Sequence, residues 1–266
     1  MKKKILAVTL AMAMVSSLVA CSGSTTETQE SASSNEESQD STESKGTLVM
    51  ATNAEFPPYE YHDGSDDQIV GIDAEIAAAI ADKLGYTLEI EDIAFDSVIP
   101  EVTSGKADFG MAGMTVTEER KKSVNFSDSY ATAVQVVIVP EDSDITSIDD
   151  LSGKIIGVQS GTTGDLYATD DFGDENVERY NKGMEAVQAL SQGKIDAVII
   201  DNEPAKVFVQ ETEGLKILDS AYAEEQYAIA IALDNTELLS EVNAALAELK
   251  ADGTIDSIVS KYITAD

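Results

Sequence analysis

The chain of 266 residues is strongly acidic, because 50 Asp and Glu residues against 17 Lys and Arg give a formal net charge of −33. Such a charge argues against a nucleic-acid partner and against electrostatic docking to anionic lipid, and solubility is its simplest explanation. It also raises the local concentration of cations. The acidic residues do not cluster with His or Cys at ligand spacing, so we expect no metal and no other cofactor.

The first 20 residues predict a signal peptide. Lys2–Lys4 give it a basic start, and the apolar run from Ile5 to Val15 is too short to span a membrane. The sequence Leu-Val-Ala-Cys at 18–21 resembles the lipobox of bacterial lipoproteins, which implies a lipid anchor on Cys21 and attachment to the membrane through it. The alternative is an ordinary signal cleaved elsewhere, but it would leave over Cys21, the only cysteine.

Residues 21–45 are rich in Ser, Thr, Glu and Gln and contain no aromatic residue. They cannot bury enough apolar surface to offset the entropy of ordering, so we predict a disordered tether. From residue 46 onward, strand-like and helix-like apolar spacings alternate, which is typical of an α/β fold. The predicted strands are Leu48–Thr52, Thr87–Ile93, Phe109–Ala112, Ala133–Pro140, Lys154–Val158, Val177–Tyr180, Leu215–Leu218 and Gln226–Leu233. The predicted helices include Asp73–Leu84, Phe95–Ser104, Glu203–Thr212, Thr236–Lys250 and Thr254–Tyr262.

One of the chain's two arginines, Arg120, follows a predicted strand closely. Thr115 and Glu118 have the spacing of a capping box, which predicts a helix that begins at Thr115 or Thr117 and carries Arg120 in its first turns. A guanidinium beside the unpaired amides of a helix start would clamp a carboxylate. The alternative is a solvated surface arginine paired with Glu118 or Glu119.

A second part of the chain repeats this plan. In Phe95–Gly113 and again in Met184–Asp201, an amphipathic helix is followed by Gly-Lys-x-Asp and a short apolar strand. Two such units predict two similar α/β lobes, and ligands of open α/β sheets sit outside the carboxyl ends of the strands. Arg120 and Asp201 would then face each other across one cleft, where their opposite charges suit a zwitterion.

Two aromatic residues also follow predicted strands. Pro57 and Pro58 stiffen the loop after the first strand and place Phe56 near the same cleft as Arg120. Phe95 lies at the start of a predicted helix, where an aromatic is more often part of the core than a platform for a ligand.

The loop Gln159–Gly164 joins a strand to a helix and contains two glycines. It lacks the complete motif of a P-loop or of a dinucleotide-binding fold. What remains is an anion site at a helix start, with the N–H groups and hydroxyls of Thr162 and Thr163.

These segments together resemble the extracellular solute-binding proteins of ABC importers for polar amino acids, such as the histidine-, lysine/arginine/ornithine- and glutamine-binding proteins. The likeness is carried by Asn53–Tyr59, Gly71–Asp73, Phe95–Asp108, Ala112–Tyr130, Gln159–Asp165, Gly193–Asp201 and Ala251–Tyr262. It implies an α/β, two-lobed periplasmic-binding-protein-like fold of type II with two hinge strands. Lobe 1 would comprise residues 46–133 and 227–266, and lobe 2 residues 134–226. It also implies a monomer that is not an enzyme, has no catalytic residues and delivers an amino acid to an ABC permease and ATPase complex.

The resemblance also implies roles for individual residues. Arg120 would bind the ligand α-carboxylate with help from Thr115 and Thr162, and Asp201 would bind the α-ammonium group with the Gly113 carbonyl. Phe56 would lie over the ligand side chain, with Phe95 as the platform opposite it. Asn53 and Gln159 would discriminate between side chains. The predicted ligand-binding residues are Asn53, Glu55, Phe56, Phe95, Gly113, Met114, Thr115, Arg120, Gln159, Thr162, Thr163 and Asp201.

One position departs from the family pattern. Histidine and basic-amino-acid binders similar to this chain carry Asp where it has Asn53. This departure leaves the ligand open between a polar and a basic amino acid, and Glu55 would supply an anion if it turned inward.

Three other functional classes stay open at this point. A dehydratase-like enzyme on the same fold would need an acid–base pair, but the only histidine, His62, is expected at the surface without an obvious partner. An amino-acid-sensing receptor module is the second class. The third is a metal-binding lipoprotein, which the spacing of the acidic residues disfavours.

Overall fold

The computed structural model describes residues 44–64 and 68–263. The predicted signal peptide, the lipid anchor at Cys21 and nearly all of the tether at 21–45 lie outside the described residues. Within the described part of the chain, no helix has the length and apolar character needed to cross a membrane.

Strands and helices alternate along most of the described chain, as the apolar spacing predicts. The strands are β1 Thr47–Thr52, β2 Glu55–Phe56, β3 Glu60–His62, β4 Ile69–Val70, β5 Thr87–Asp92, β6 Phe109–Gly110, β7 Val124–Phe126, β8 Ala131–Pro140, β9 Ile156–Gln159, β10 Val177–Tyr180, β11 Ala197–Asp201, β12 Leu215–Ile217, β13 Ala223–Tyr227 and β14 Ala230–Ala232. The α-helices are α1 Ile72–Leu84, α2 Val98–Ser104, α3 Thr163–Phe172, α4 Gly183–Ser191, α5 Asn202–Glu211, α6 Thr236–Ala251 and α7 Thr254–Tyr262.

Two main sheets organise these elements. The first has the order β5-β1-β6-β14-β7, and the second has the order β10-β9-β11-β8-β12, with β13 also paired to β8. In the first, β1 runs parallel to β5 and β6; in the second, β9 runs parallel to β10 and β11. We call the first sheet with α1, α2, α6 and α7 the first lobe, and the second sheet with α3, α4 and α5 the second lobe. The predicted α/β class with two lobes is confirmed, whereas the exact lobe boundaries stay a prediction.

The chain passes between the lobes twice. It leaves β7 of the first lobe at Phe126 and enters β8 of the second at Ala131, and it returns from β13 at Tyr227 to β14 at Ala230. The two crossings lie side by side, because Tyr227 pairs with Ala131 in the β8–β13 register. They are the structural counterpart of the two predicted hinge strands.

The helices pack on the sheets through apolar stripes. In α1, Ile72, Ile76 and Ile80 recur every four residues and are fully buried. Burying each such side chain contributes about 1.5–3 kcal/mol. The helix ends where predicted, because Gly85 adopts a left-handed conformation with φ of 80° that suits glycine best.

The repeated Gly-Lys-x-Asp motif has the same role in both lobes. The Oδ2 atom of Asp108 accepts a hydrogen bond from the Val49 N–H at 2.7 Å, and the Oδ2 atom of Asp196 accepts one from the Ile155 N–H at 2.8 Å. The glycines of the two motifs, Gly105 and Gly193, have positive φ values of 72° and 67°. Each motif therefore reverses the chain and fastens the returning strand beside its neighbour.

Two predictions about local structure are wrong. Instead of a helix that begins at 115 or 117, the chain forms only a 3₁₀ turn over Arg120–Lys122. Thr115 pairs with Tyr227 in an antiparallel bridge, and β7 already begins at Val124, so a helix has no room. His62 is exposed, as predicted, but it does have a partner, because its Nε2 atom lies 3.0 Å from Oδ2 of Asp92.

Candidate ligand-binding site

The candidate site is a cavity that both lobes line at the carboxyl ends of their strands. Its lining consists of Asn53, Phe56, Glu60, Phe95, Ala112, Gly113, Thr115, Arg120, Gln159, Thr162, Thr163 and Asp201. Ten of the twelve residues predicted from the sequence are in this lining. Their roles in ligand binding stay predictions.

Arg120 is a buried guanidinium at the wall between the lobes, with 9% of the residue exposed. Its Nη1 donates to the Thr115 carbonyl at 2.7 Å, and its Nη2 donates to the Gly161 carbonyl of the other lobe at 3.1 Å. The side chain also lies over the Phe95 ring, with Cζ 5.4 Å from the ring centre. Burial lowers the pKa of Arg120.

The alternative of a solvated arginine paired with a neighbouring glutamate does not describe this geometry. Glu118 pairs with Lys121 at 2.8 Å, and Glu119 pairs with Lys122. Arg120 points into the cavity instead, where a carboxylate would replace weaker carbonyl partners.

Asp201 supplies the opposite charge. It ends β11, and only 7% of the residue is exposed. Its Oδ2 atom accepts a hydrogen bond from Gln135 Nε2 at 2.8 Å, and its Oδ1 atom accepts one from the Tyr227 hydroxyl. Burial raises the pKa of Asp201 to about 7, and the negative charge of Glu225 also raises it. A cationic group at this position would stabilise the ionised form.

Aromatic rings flank the cavity as predicted. Phe56 is buried, whereas Phe95 is half-buried and lies both in the cavity lining and against the apolar side chains of the first lobe. The core and platform interpretations of Phe95 therefore both have support. Gly113 has a φ of 52°, and a Cβ atom there would lie 2.9 Å from the Phe56 ring. Only glycine lets the backbone approach this ring so closely.

Two amides join the lobes at the edge of the cavity. Gln159 Nε2 donates to Asn53 Oδ1 at 2.8 Å, and Asn53 Nδ2 donates to the Ile93 carbonyl at 2.9 Å. The Gln159–Asn53 bond and the Arg120–Gly161 bond both run from one lobe to the other. The structure therefore has the closed arrangement of the cleft.

The remaining two predicted residues lie outside the lining. Glu55 forms an ion pair with Lys182 of the second lobe. Met114 is buried among apolar side chains of the first lobe.

Sequence reasoning missed Glu60, a carboxyl group that faces the cavity. The residue is 1% exposed, and its carboxyl group has a hydrogen bond with the buried carboxyl group of Asp73 but accepts none from the other described residues. Burial, and next the negative charge of Asp73, raise the pKa of Glu60 well above its usual range. The available signal was an acidic residue directly after the Pro-Pro loop, but the alternation of a short hairpin does not tell which face meets the cleft.

Glu225, on β13 beside the crossing, was also missed. Its Oε2 atom accepts hydrogen bonds from the hydroxyls of Thr115 in the first lobe and Thr163 in the second, each at 3.0 Å. Gln135 Nε2 donates to the same oxygen at 3.0 Å. Since both hydroxyl protons are used by Glu225, the hydroxyl oxygen of Thr115 is left to accept from a ligand, whereas that of Thr163 already accepts from Gln135 Nε2 at 3.4 Å.

Comparison with known proteins identifies the family. The pattern of the bacterial extracellular solute-binding proteins, family 3, matches residues 48–265. The chain belongs to this family. Membership in a family of binding proteins confirms the predicted resemblance and the prediction that the protein is not an enzyme.

Several members of the family resemble the chain over most of their length. The arginine-binding extracellular protein ArtP of Bacillus subtilis is 35% identical over 227 residues, which cover 84% of this chain and 88% of ArtP. ArtJ from Geobacillus stearothermophilus, described as an arginine-, lysine-, histidine-binding protein, has a TM-score of 0.78 and 32% identity over 83% of this chain and 96% of its own. An ancestral arginine-binding protein with 42% identity has been solved with arginine (TM-score 0.78, 82% and 99% covered) and with glutamine (TM-score 0.79, 83% and 99% covered).

Proposed function

We propose that the protein captures a free cationic L-amino acid of the arginine type outside the cell and delivers it to an ABC importer. One observation carries the proposal: a single buried cavity is lined by Arg120, Asp201 and the buried carboxyl group of Glu60. A guanidinium, a carboxylate and a second acid match the carboxylate, the ammonium and the cationic side chain of one ligand.

The two main-chain groups of the ligand would be bound from opposite lobes. Arg120 offers a planar fork of donors to the carboxylate, and the start of α3 at Thr163 adds backbone amides that favour an anion. Asp201 would accept from the ammonium group. The Thr115 hydroxyl suits the ammonium better than the carboxylate, because its proton is donated to Glu225.

The cationic side chain would meet Glu60. Moving this carboxyl group out of water is costly, and apart from the carboxyl group of Asp73 no described residue offers its oxygens a hydrogen-bond donor. A guanidinium supplies those donors and restores the ionised form, and the faces of Phe56 and Phe95 favour a cation between them. The names of ArtP and ArtJ support the same ligand class.

Delivery would depend on closure. A ligand that contacts both lobes binds the closed state more tightly than the open one and so shifts the population towards it. The importer would then recognise the closed lobes. We extend the proposal to a lipid anchor at Cys21, because the sequence Leu-Val-Ala-Cys and the tether-like composition of residues 21–45 suit a binding protein held at the membrane surface.

Glutamine is the second candidate. The amides of Asn53 and Gln159 lie in the cavity lining, and groups of this kind suit a neutral side-chain amide. The ancestral arginine-binding protein solved with glutamine supports this alternative.

Calorimetry with arginine and citrulline at pH 7.5 tests the proposal, because citrulline keeps the shape of arginine but carries no side-chain charge. A charge-assisted hydrogen bond contributes about 1.5–3 kcal/mol, so we expect arginine to bind at least about tenfold more tightly than citrulline. Tighter binding of citrulline or glutamine would favour the second candidate. If no amino acid in a full panel bound, the function itself would be wrong.

A further inference from the structure

The second of the chain's two arginines, Arg179, also forms a clamp. Its Nε atom donates to both carboxylate oxygens of Asp165, at 2.8 and 3.0 Å. Its Nη2 donates to Thr169 Oγ1 at 2.8 Å, and its Nη1 lies 2.8 Å from Asp174 Oδ1. Arg179 therefore fastens β10 to α3, and Asp165 is the buried partner in this group.

Asp165 connects this clamp to the cavity. Its Oδ2 atom accepts a hydrogen bond from the Gly161 N–H at 3.0 Å, and the Gly161 carbonyl accepts the Nη2 donor of Arg120 at 3.1 Å. The backbone of Gly161 thus lies between the two arginines, with its N–H bound to one acid–arginine pair and its carbonyl bound to the other arginine.

The Gly161 turn has little freedom to move. It has a φ of 77°, and a Cβ atom there would lie 3.1 Å from Cβ of Asp96 in the first lobe. Thr162 is the N-cap of α3 and accepts from the Asp165 N–H at 3.3 Å. A change in the direction of Asp165 would therefore move Gly161 and the first turn of α3 together.

We propose that Asp165 and Arg179 are positioning residues for the carboxylate end of the ligand site: they hold the turn 161–163 against Arg120. The inference rests on the proposed function, because it assigns this end of the cavity to the ligand carboxylate. Neither residue is in the cavity lining, so both act through the backbone of the turn.

An ion pair that only stabilised the second lobe would have a different effect. Its loss would lower the melting temperature, but it would not weaken the binding of the ligand carboxylate more than the binding of the rest of the ligand. A positioning pair affects only the binding of the ligand carboxylate. The backbone amides of the turn 161–163 and the guanidinium of Arg120 bind a carboxylate most tightly when they are already aligned with it.

The test compares Arg179→Met with the wild type, using arginine and its decarboxylated analogue agmatine, whose weaker binding is measured from melting-temperature shifts at millimolar concentrations. We expect the affinity of the variant for arginine to fall about tenfold, mainly through faster dissociation, while its affinity for agmatine stays within about twofold. Asp174→Asn is the matched control, since it removes only the exposed partner of Arg179 and leaves Asp165 bound. This control should bind both ligands as the wild type does.

Three results would overturn the inference. A folded Arg179→Met with arginine affinity within about twofold of wild type would do so. Equal weakening of arginine and agmatine would assign the pair to general stability of the lobe. If the wild type itself bound no amino acid, the proposed function would fail and the inference with it. Should Arg179→Met not fold, Arg179→Lys is judged by the same criteria, because it keeps the charge but loses the fork.

Discussion

Replacing Arg120 by alanine tests the charge arrangement of the cavity most directly. The guanidinium is buried, and among the described residues its hydrogen-bond acceptors are two carbonyl groups, one from each lobe. In the complex it would face the buried carboxylate of the ligand. Removing one partner of a buried, hydrogen-bonded charge pair costs about 3–5 kcal/mol, which corresponds to a loss of affinity of about 150- to 5,000-fold.

Titration calorimetry with arginine should therefore show no measurable binding by Arg120→Ala. Lys121→Ala is the matched control, because Lys121 is the next residue, is exposed and pairs only with Glu118 among the described residues. It should bind as the wild type does, and both variants should be checked for folding by their melting temperatures. Binding by Arg120→Ala within about threefold of wild type, less than about 1 kcal/mol, would refute the assignment of Arg120 to the carboxylate.

Two further predictions concern the carboxyl groups of the cavity. Glu60→Gln should weaken arginine binding about tenfold or more and leave citrulline binding within about threefold of wild type. The control Glu118→Gln, which changes an exposed carboxylate that lies outside the lining and does not join the lobes, should alter neither affinity; equal effects of Glu60→Gln on both ligands would contradict the role of Glu60. The pKa of Asp201 is about 7 in the folded protein against an ordinary value of 3.8, so the stability that its protonated form contributes is fully present below about pH 4 and is lost as the pH rises through 7. In urea titrations without ligand, the wild type should therefore lose more stability between pH 5 and 8 than Asp201→Asn, and parallel curves for the two proteins would contradict this account.

Much of the site could be predicted because it depends on the order of residues within single segments of the chain. Arg120 comes after β6 and Asp201 is the last residue of β11, and parallel strands bring their carboxyl ends to one edge of a sheet. The Gly-Lys-x-Asp repeat indicated two similar lobes for the same reason, since each copy contains a complete helix, turn and strand. Such features need no knowledge of distant contacts.

The errors and omissions arise from contacts between residues far apart in the chain. Thr115 and Glu118 do have the spacing of a capping box, but an antiparallel bridge to Tyr227 holds Thr115 in an extended conformation. Glu60 lies in a hairpin whose alternation fits either face, so the local sequence does not decide that it meets the cavity. The pairing of Thr115 with Glu225, 110 residues later, has no local signal at all.

The bond between Asn53 and Gln159 has a consequence for the medium in which the protein works. Both side chains are uncharged, so dissolved ions do not screen this contact as they screen exposed ion pairs. A chain with a net charge of −33 is otherwise sensitive to ionic strength over its whole surface. The neutral amide contact between the lobes therefore keeps its strength in dilute and in saline surroundings, whereas the ion pair of Glu55 with Lys182, which also joins the lobes, weakens as the ionic strength rises.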